Sequence, residues 1–212
     1  MRMDKLIWKT VISTLVSALV LLFAMFGILS LFFPQTMMKI TYTMGMDKAS
    51  VNFSATAYER FGVVDYVGYG ADVALGANLH QQSEAALEKL IADDEFESYC
   101  NKKNESLDGE QVNTTLQAYY RRQLCLSIFW QGDGERAVNR SLELMGNSFT
   151  AGNPLVEVIR YARMSEADGE STLRTAYTKL SEIKNGEVYG RYSAADKAYF
   201  DQVFAAVGGW LA

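Results

Sequence analysis

The stretch Thr10–Phe33, TVISTLVSALVLLFAMFGILSLFF, divides this chain into two parts of different character. It contains no Asp, Glu, Lys, Arg, His, Asn or Gln. A helix of this length would be roughly 36 Å long and would cross a hydrocarbon core of about 30 Å. A soluble helix this long would normally have a polar face. The stretch therefore predicts a single membrane-spanning helix.

The short leader before this stretch predicts how the chain is oriented. Its charged residues are Arg2, Asp4, Lys5 and Lys9. Because the leader is net positive, the positive-inside rule predicts a cytoplasmic segment 1–9, a transmembrane helix 10–33 and an extracytoplasmic domain 34–212 in the cell membrane. A cleaved signal peptide is the alternative, but its apolar region is usually about 7–15 residues long. The prediction is therefore an uncleaved signal anchor.

The part of the chain after the anchor is acidic. The whole chain has a net charge of −5, and the leader contributes only positive net charge. An acidic domain does not attract phosphate backbones, so no nucleic-acid partner is expected. Cys100 and Cys125 are the only cysteines. Outside the cytoplasm they could form one disulfide, or they could remain two free thiols in buried helical positions.

A pattern of small and bulky residues recurs along residues 35–186. The first occurrence places Gly45, Ala49, Phe53 and Ala57 at intervals of four residues. Later turns are predicted at Gly132-Asp133-Gly134 and, 35 residues further on, at Ala167-Asp168-Gly169. Intervals of this kind are typical of repeated helical hairpins.

This pattern resembles the tetratricopeptide repeat family, whose unit is a helical hairpin of about 34 residues. The family's spacing between the turn glycine and the small residue of the second helix is kept at Gly132 and Ala137. The resemblance implies an all-α fold in which antiparallel helical hairpins stack into a solenoid behind the transmembrane helix. A different αα-repeat or an irregular helical bundle is the alternative. An insertion around Lys102–Glu110 interrupts the pattern, and polar Asn101–Gly109 predicts an exposed loop.

Local signals support helices at both ends of the repeat region. The helix before the Gly45 turn reaches back to Pro34, so the anchor is expected to run directly into the first hairpin. Asn153 before Pro154 predicts a helix start, and Ser193 resembles an N-cap. The C-terminal stretch Ala194–Trp210 predicts an amphipathic helix that caps the stack, or alternatively one that lies on a membrane surface.

No catalytic signature accompanies these helices. His80 is the only histidine, and no nucleophile motif, phosphate-binding loop or metal-ligand spacing is present. The chain is therefore predicted not to be an enzyme and to need no cofactor and no metal. Convergence of Glu157 and Glu166 in one pocket would favour the enzyme alternative.

The resemblance implies a concave surface formed by the first helix of each hairpin. The residues expected to line this ligand groove are Asp65, Asp72, Tyr119, Arg122, Phe129, Glu157 and Tyr161. Tyr and Arg are frequent interface anchors, and the acidic residues would select the polarity of the partner. Alternatively, the aromatic residues belong to the helix core and the charged residues are simply solvated.

These observations predict a membrane-anchored, non-enzymatic scaffold or adaptor module. It would bind a peptide or protein partner near the membrane surface. The alternative is a structural accessory subunit of a larger membrane protein complex, since Thr10, Thr14 and Ala18 lie at four-residue intervals. Small residues at such intervals allow close contact between transmembrane helices.

Overall fold

The computed structural model describes residues 2–106, 115–146, 148–165 and 169–212. These residues form α-helices and turns, with no β-strand among them, which confirms the all-α prediction. The helices of the described residues, in chain order, are α1 Arg2–Phe32, α2 Pro34–Thr43, α3 Asp47–Phe61, α4 Val64–Gly76, α5 His80–Ala92, α6 Phe96–Ser106, α7 Leu116–Phe129, α8 Gly134–Glu143, α9 Pro154–Met164, α10 Gly169–Asn185, α11 Glu187–Arg191 and α12 Ala194–Leu211.

Helix α1 carries the apolar stretch. Its segment Ile7–Phe32 has a mean hydropathy of 2.6, and none of it is buried against the other described residues. Among the described helices it is the one whose length and composition would allow it to cross a membrane. Hydroxyl groups within it bond to their own helix, as Thr14 Oγ1 donates to the carbonyl of Thr10 at 2.9 Å. The helix ends at Phe32, one residue earlier than the sequence predicts.

The junction between α1 and α2 is short. Only Phe33 separates the two helices, and Pro34 takes the first position of α2, where its missing N–H costs nothing. The guanidinium of Arg60, at the end of α3, donates to the carbonyl of Leu31 at 2.7 Å. The first hairpin therefore follows α1 without a flexible linker, as the sequence predicts.

Helices that are adjacent in the chain pack against each other along the rest of the molecule. Contacts join α2 to α3, α3 to α4 and α4 to α5, and they continue from α7 to α8 and α9 and from α9 to α10. Helix α5 packs on α7, which connects the first two hairpins to the next two. This stacked packing of neighbouring helices is consistent with a helical repeat.

Glycines with left-handed backbone form two of the predicted turns. Gly45 has φ 70° between α2 and α3, and Gly132 has φ 83° between α7 and α8. Side chains disfavour this conformation, so glycine is the residue that suits these turns. Of the third predicted turn only Gly169 is described, as the first residue of α10, because residues 167 and 168 lie outside the described part.

An additional helix, α6, lies where the sequence predicts an exposed loop. It includes Asn101 and continues to Ser106, so the loop prediction is wrong over this part. Residues 107–109 lie outside the described residues. Phe96, Tyr99 and Cys100 are buried on one face of α6, and the polar residues that follow continue the same helix. Their polarity indicates exposure to solvent but does not interrupt the helix.

Both cysteines are free thiols in the hydrophobic core, which is the second of the two alternatives above. Burial raises the pKa of Cys100 and of Cys125 to about 11 in each case. The same core includes the fully buried rings of Tyr120, Phe149 and Phe200. It therefore extends from α6 and α7 to the C-terminal helix.

The predicted N-caps near the C-terminus are confirmed. Asn153 accepts a bond from the backbone N–H of Leu155, and Ser193 Oγ accepts one from that of Asp196. Helix α12 packs on α10, where the rings of Tyr177 and Phe204 stack with centroids 4.9 Å apart.

Candidate functional site

One face of α4 carries polar and aromatic residues at helical spacing. Asp65, Tyr69, Asp72 and Gly76 follow at intervals of four, three and four residues and therefore share this face. Together with α2 they border a groove in which two cavities meet at Tyr69. We call this surface the α2–α4 groove and define it by Gln35, Lys39, Tyr42, Asp47, Asp65, Tyr66, Tyr69 and Asp72.

Close packing among α2, α3 and α4 shapes this groove. Ser50 Oγ of α3 donates to the carbonyl of Met38 in α2 at 2.7 Å. One turn further along α3, a Cβ added at Gly70 of α4 would lie 2.0 Å from Ser54 Oγ. Small residues therefore let α3 approach both neighbours, so α2 and α4 are positioned by the same helix.

The first cavity of the groove has a volume of about 360 Å³, and its lining includes Tyr42, Asp47, Tyr69 and Asp72. The rings of Tyr42 and Tyr69 meet edge to face, with centroids 6.0 Å apart. Tyr69 is partly buried against a small apolar cluster, whereas Tyr42 is 51% exposed. One ring is thus held in place and the other is accessible to a ligand.

The second cavity has a volume of about 440 Å³ and lies towards the start of α2 and α4. Its polar lining includes Gln35 and Lys39 from α2, and Asp65 and Tyr66 from α4. The side-chain oxygen of Gln35 is buried and has no hydrogen-bond partner among the described residues. This half of the groove has both a positive and a negative side chain.

The carboxylate of Asp72, in α4, accepts hydrogen bonds from side chains of two other helices. Its Oδ1 accepts a bond from Tyr120 Oη of α7 at 2.8 Å, and its Oδ2 accepts one from Lys103 Nζ of α6 at 3.0 Å. The Lys103 ammonium also lies 4.7 Å from the ring centroid of Tyr99. Burial alone would lower the pKa of Lys103, but its interactions with Tyr99 and Asp72 outweigh this effect and raise the pKa. Lys103 therefore remains cationic and compensates the charge of Asp72.

Two other predicted residues lie near Asp72. Tyr119 is 36% exposed, and its ring meets that of Tyr120 edge to face at 5.5 Å. Burial and the negative charge of Asp72 raise the pKa of Tyr119, and the positive charge of Arg122 opposes them. The charges of Asp72 and Arg122 therefore both act on Tyr119.

Tyr120 and Lys103 were absent from the predicted set. The sequence carries no signal for Lys103, because its contact depends on α6 continuing through a polar stretch. Tyr120 adjoins the predicted Tyr119, and only the rotation of α7 decides which of the two rings faces Asp72.

Two of the remaining predicted residues, Phe129 and Tyr161, contact Trp130 at the end of α7. Phe129 is buried, and its ring lies 5.2 Å from that of Trp130. The ring of Tyr161 of α9 meets that of Trp130 edge to face, with centroids 5.5 Å apart. Glu157 forms an ion pair with Arg160 on the same helix. Because its ring is buried, Phe129 contributes to the core rather than to an open surface.

Trp130 itself was not among the predicted residues. It is 48% exposed and stacks with His80 at a centroid distance of 6.4 Å. A bulky aromatic residue directly before a glycine turn is the sequence signal that could have identified it. His80 is the first residue of α5, and its ring stacks on this indole.

The described residues do not form a metal-binding cluster. No group of three or more His, Cys, Asp and Glu side chains among them could hold a metal ion. Glu166 lies outside the described residues, so its position relative to Glu157 is not part of the structure. The α2–α4 groove can supply aromatic faces, carboxylates and hydroxyl groups, which suit non-covalent binding.

No family model, no curated protein and no solved structure matches this chain.

Proposed function

We propose that this chain is a membrane-anchored, non-enzymatic interaction module that binds a peptide or protein partner in the α2–α4 groove. The proposal rests on one observation above all: the groove begins directly after α1, with one residue between the two helices. If α1 spans the bilayer, the groove is held close to the membrane surface. A membrane-proximal partner then fits better than a distant soluble one.

The dimensions and chemistry of the groove support a peptide or a protein loop as the ligand. Each cavity, at about 360 and 440 Å³, lies at the lower end of the range for ligand pockets, which is roughly 300–1,000 Å³. Such volumes suit single side chains better than a large cofactor. Tyrosine side chains provide contact area with few rotatable bonds, and the carboxylates add selectivity.

The proposal includes the tetratricopeptide-like arrangement of the hairpins. The stacked packing of neighbouring helices and the left-handed glycines at the turns support it. In such repeats the first helices of successive hairpins form the binding surface. Helices α2 and α4 occupy those positions in the first two hairpins.

The proposed orientation places the leader in the cytoplasm and residues 34–212 outside it, since the basic residues lie before α1. Protease added to intact cells tests this orientation. We expect the C-terminal part to be digested while the leader is protected. Digestion only after the membrane is permeabilised would place the groove inside and would contradict the proposed topology.

Site-specific crosslinking tests the partner. A photoreactive amino acid replaces Tyr42 in the full chain, and the same amino acid at exposed Gln202 of α12 is the control. We expect a reproducible crosslinked product of defined mass from position 42 and none from position 202. Identical products from both positions, or no product from position 42, would exclude the groove as the binding surface.

A structural accessory subunit is the second candidate function. It is supported by the uncovered surface of Ile7–Phe32 and by the small residues Thr10, Thr14 and Ala18 on α1. Replacing α1 with an unrelated apolar helix separates the two functions. A simple tether tolerates the exchange, whereas a subunit that packs through α1 loses its complex on native electrophoresis.

A further inference from the structure

We propose that the cavity between Tyr42 and Tyr69 binds a Lys or Arg side chain of the partner. This inference rests on the proposed function and specifies the ligand for one part of the groove. The cavity combines two tyrosine rings with the carboxylates of Asp47 and Asp72.

The two tyrosine rings favour a cationic ligand. The face of an aromatic ring carries negative charge density and attracts a cation within about 6 Å of its centroid. Tyr42 and Tyr69 meet at 76°, so they present surfaces in two directions around one space. The aliphatic stem of Lys or Arg can also pack against such rings while its charged end reaches a carboxylate.

The carboxylate of Asp47 also favours a cationic ligand. Asp47 is the first residue of α3 and has no ion-pair partner among the described residues. Asp72 differs, because both of its oxygens are engaged by Tyr120 and Lys103. Of the two carboxylates in this cavity, Asp47 is therefore the one without an ion-pair partner among the described residues.

The charge of the surroundings excludes the opposite ligand. An acidic side chain in this cavity would face Asp47, the lining of the cavity includes no Lys or Arg, and Lys103 already pairs with Asp72. An apolar side chain would remove the Asp47 carboxylate from water without giving it a partner, which is costly. A cationic side chain satisfies the carboxylate and uses both rings.

Short synthetic peptides test this inference with the full chain in nanodiscs of zwitterionic phosphatidylcholine, so that basic peptides are not attracted to anionic lipid. Three pentapeptides with blocked ends carry Arg, Gln or Glu at the centre and Gly elsewhere. We expect measurable binding by calorimetry for the Arg peptide only, and weaker binding at high salt because exposed charges are screened. Equal binding of the three peptides, or no binding of the Arg peptide, would overturn the inference.

Two pairs of variants locate the bound side chain. Tyr42→Leu removes the ring and Asp47→Asn removes the charge, and each should weaken binding of the Arg peptide by about two- to fivefold. Tyr42→Phe keeps the ring, and Asp94→Asn removes an exposed carboxylate elsewhere, so both should bind as the unaltered chain does. Circular dichroism confirms that each variant is folded. An equal loss in Asp94→Asn would show non-specific attraction and overturn the inference.

The crosslinking experiment at position 42 distinguishes this inference from the proposed function. A partner whose crosslinked segment has Lys or Arg at the point of attachment supports both. A partner attached through a segment without basic residues supports the proposed function and overturns the cationic ligand. The absence of any crosslinked partner, together with binding of the Arg peptide, would support the cavity and contradict the function.

Discussion

Gly68 shows how one residue determines the packing of α6. A Cβ at this position would lie 2.1 Å from Tyr99 Oη and 2.4 Å from Cζ of the same ring. Because Tyr99 is buried and rigid, it would have to move away from α4, which would disturb the contact of Lys103 with Asp72. Gly68 is therefore the residue that allows the additional helix to lie against α4.

The substitution Gly68→Ala should lower the free energy of unfolding by about 1–3 kcal/mol, the usual cost of overpacking a core. Gly76→Ala on the same helix is the matched control, since a Cβ there meets no atom within 4 Å. Chemical denaturation of the full chain in detergent, followed by circular dichroism, measures both. Equal stability of the two variants would show that Tyr99 does not press on α4.

The buried thiols predict that the stability of the folded protein depends on pH. Because burial raises the pKa of Cys100 and Cys125 from near 9 to about 11, the folded protein retains these protons while the unfolded chain loses them. Between pH 9 and 11 the unfolded state therefore binds fewer protons, and stability falls as pH rises. We expect the denaturation midpoint to decrease over this range, and to decrease less in the double variant with Ala at both positions.

The same thiols should react slowly with a thiol reagent at pH 8, because little thiolate is present in the folded state. Labelling with a chromogenic disulfide measures the rate, and the chain in guanidinium chloride provides the reference. Labelling of the folded protein as fast as that of the denatured chain would contradict the buried positions of both residues.

At the level of the elements, Arg60 connects α3 to α1. Its guanidinium donates to Leu31 O at 2.7 Å and lies 5.5 Å from the ring centroid of Phe61. The carbonyls at a helix C-terminus have no partner within the helix and carry partial negative charge, so a cation is favourable there, typically by 0.3–1 kcal/mol. This contact, together with the short junction at Phe33, limits the angles between α1 and the first hairpin.

Arg60→Ala should therefore broaden the distribution of distances between spin labels on α1 and on α3, with little change in overall stability. Pulsed electron paramagnetic resonance on the full chain in nanodiscs measures the distribution. Arg191→Ala, which removes only an ion pair with Glu187 within α11, is the matched control. An unchanged distribution in Arg60→Ala would indicate that the junction alone holds the hairpin.

In the whole molecule, α12 closes the core that begins at α4. The ring of Phe200 is completely buried and meets Phe149 at a centroid distance of 4.9 Å and Tyr189 at 5.3 Å. These partners come from the segment before α9 and from α11. One side chain of the last helix therefore connects separate parts of the C-terminal half.

Phe200→Ala should reduce the free energy of unfolding by about 3–5 kcal/mol, since it removes a buried ring and leaves a cavity. Phe61→Ala is the control, because that ring is 44% exposed and its loss should lower the free energy of unfolding by only about 1 kcal/mol. Thermal unfolding of both variants in the same detergent gives the comparison. A similar decrease in the two melting temperatures would contradict the closing role of α12.

The sequence alone was sufficient to predict the features that depend on residues close together in the chain. The apolar run predicts α1, Gly45 and Gly132 predict their turns, and Asn153 predicts the start of α9. Each signal acts over one or two helical turns, so no distant contact is needed to interpret it. The one-residue difference at Phe33 reflects the proline that follows, which starts a new helix.

Tertiary packing decided which of the predicted groove residues lie together. Asp72 and Tyr120 are 48 residues apart, and their contact depends on the relative rotation of α4 and α7. A shift of one residue turns a helix by about 100°, so spacing alone cannot show which ring faces the carboxylate. The same packing places α6 beside Asp72 and gathers Phe129 and Tyr161 around Trp130.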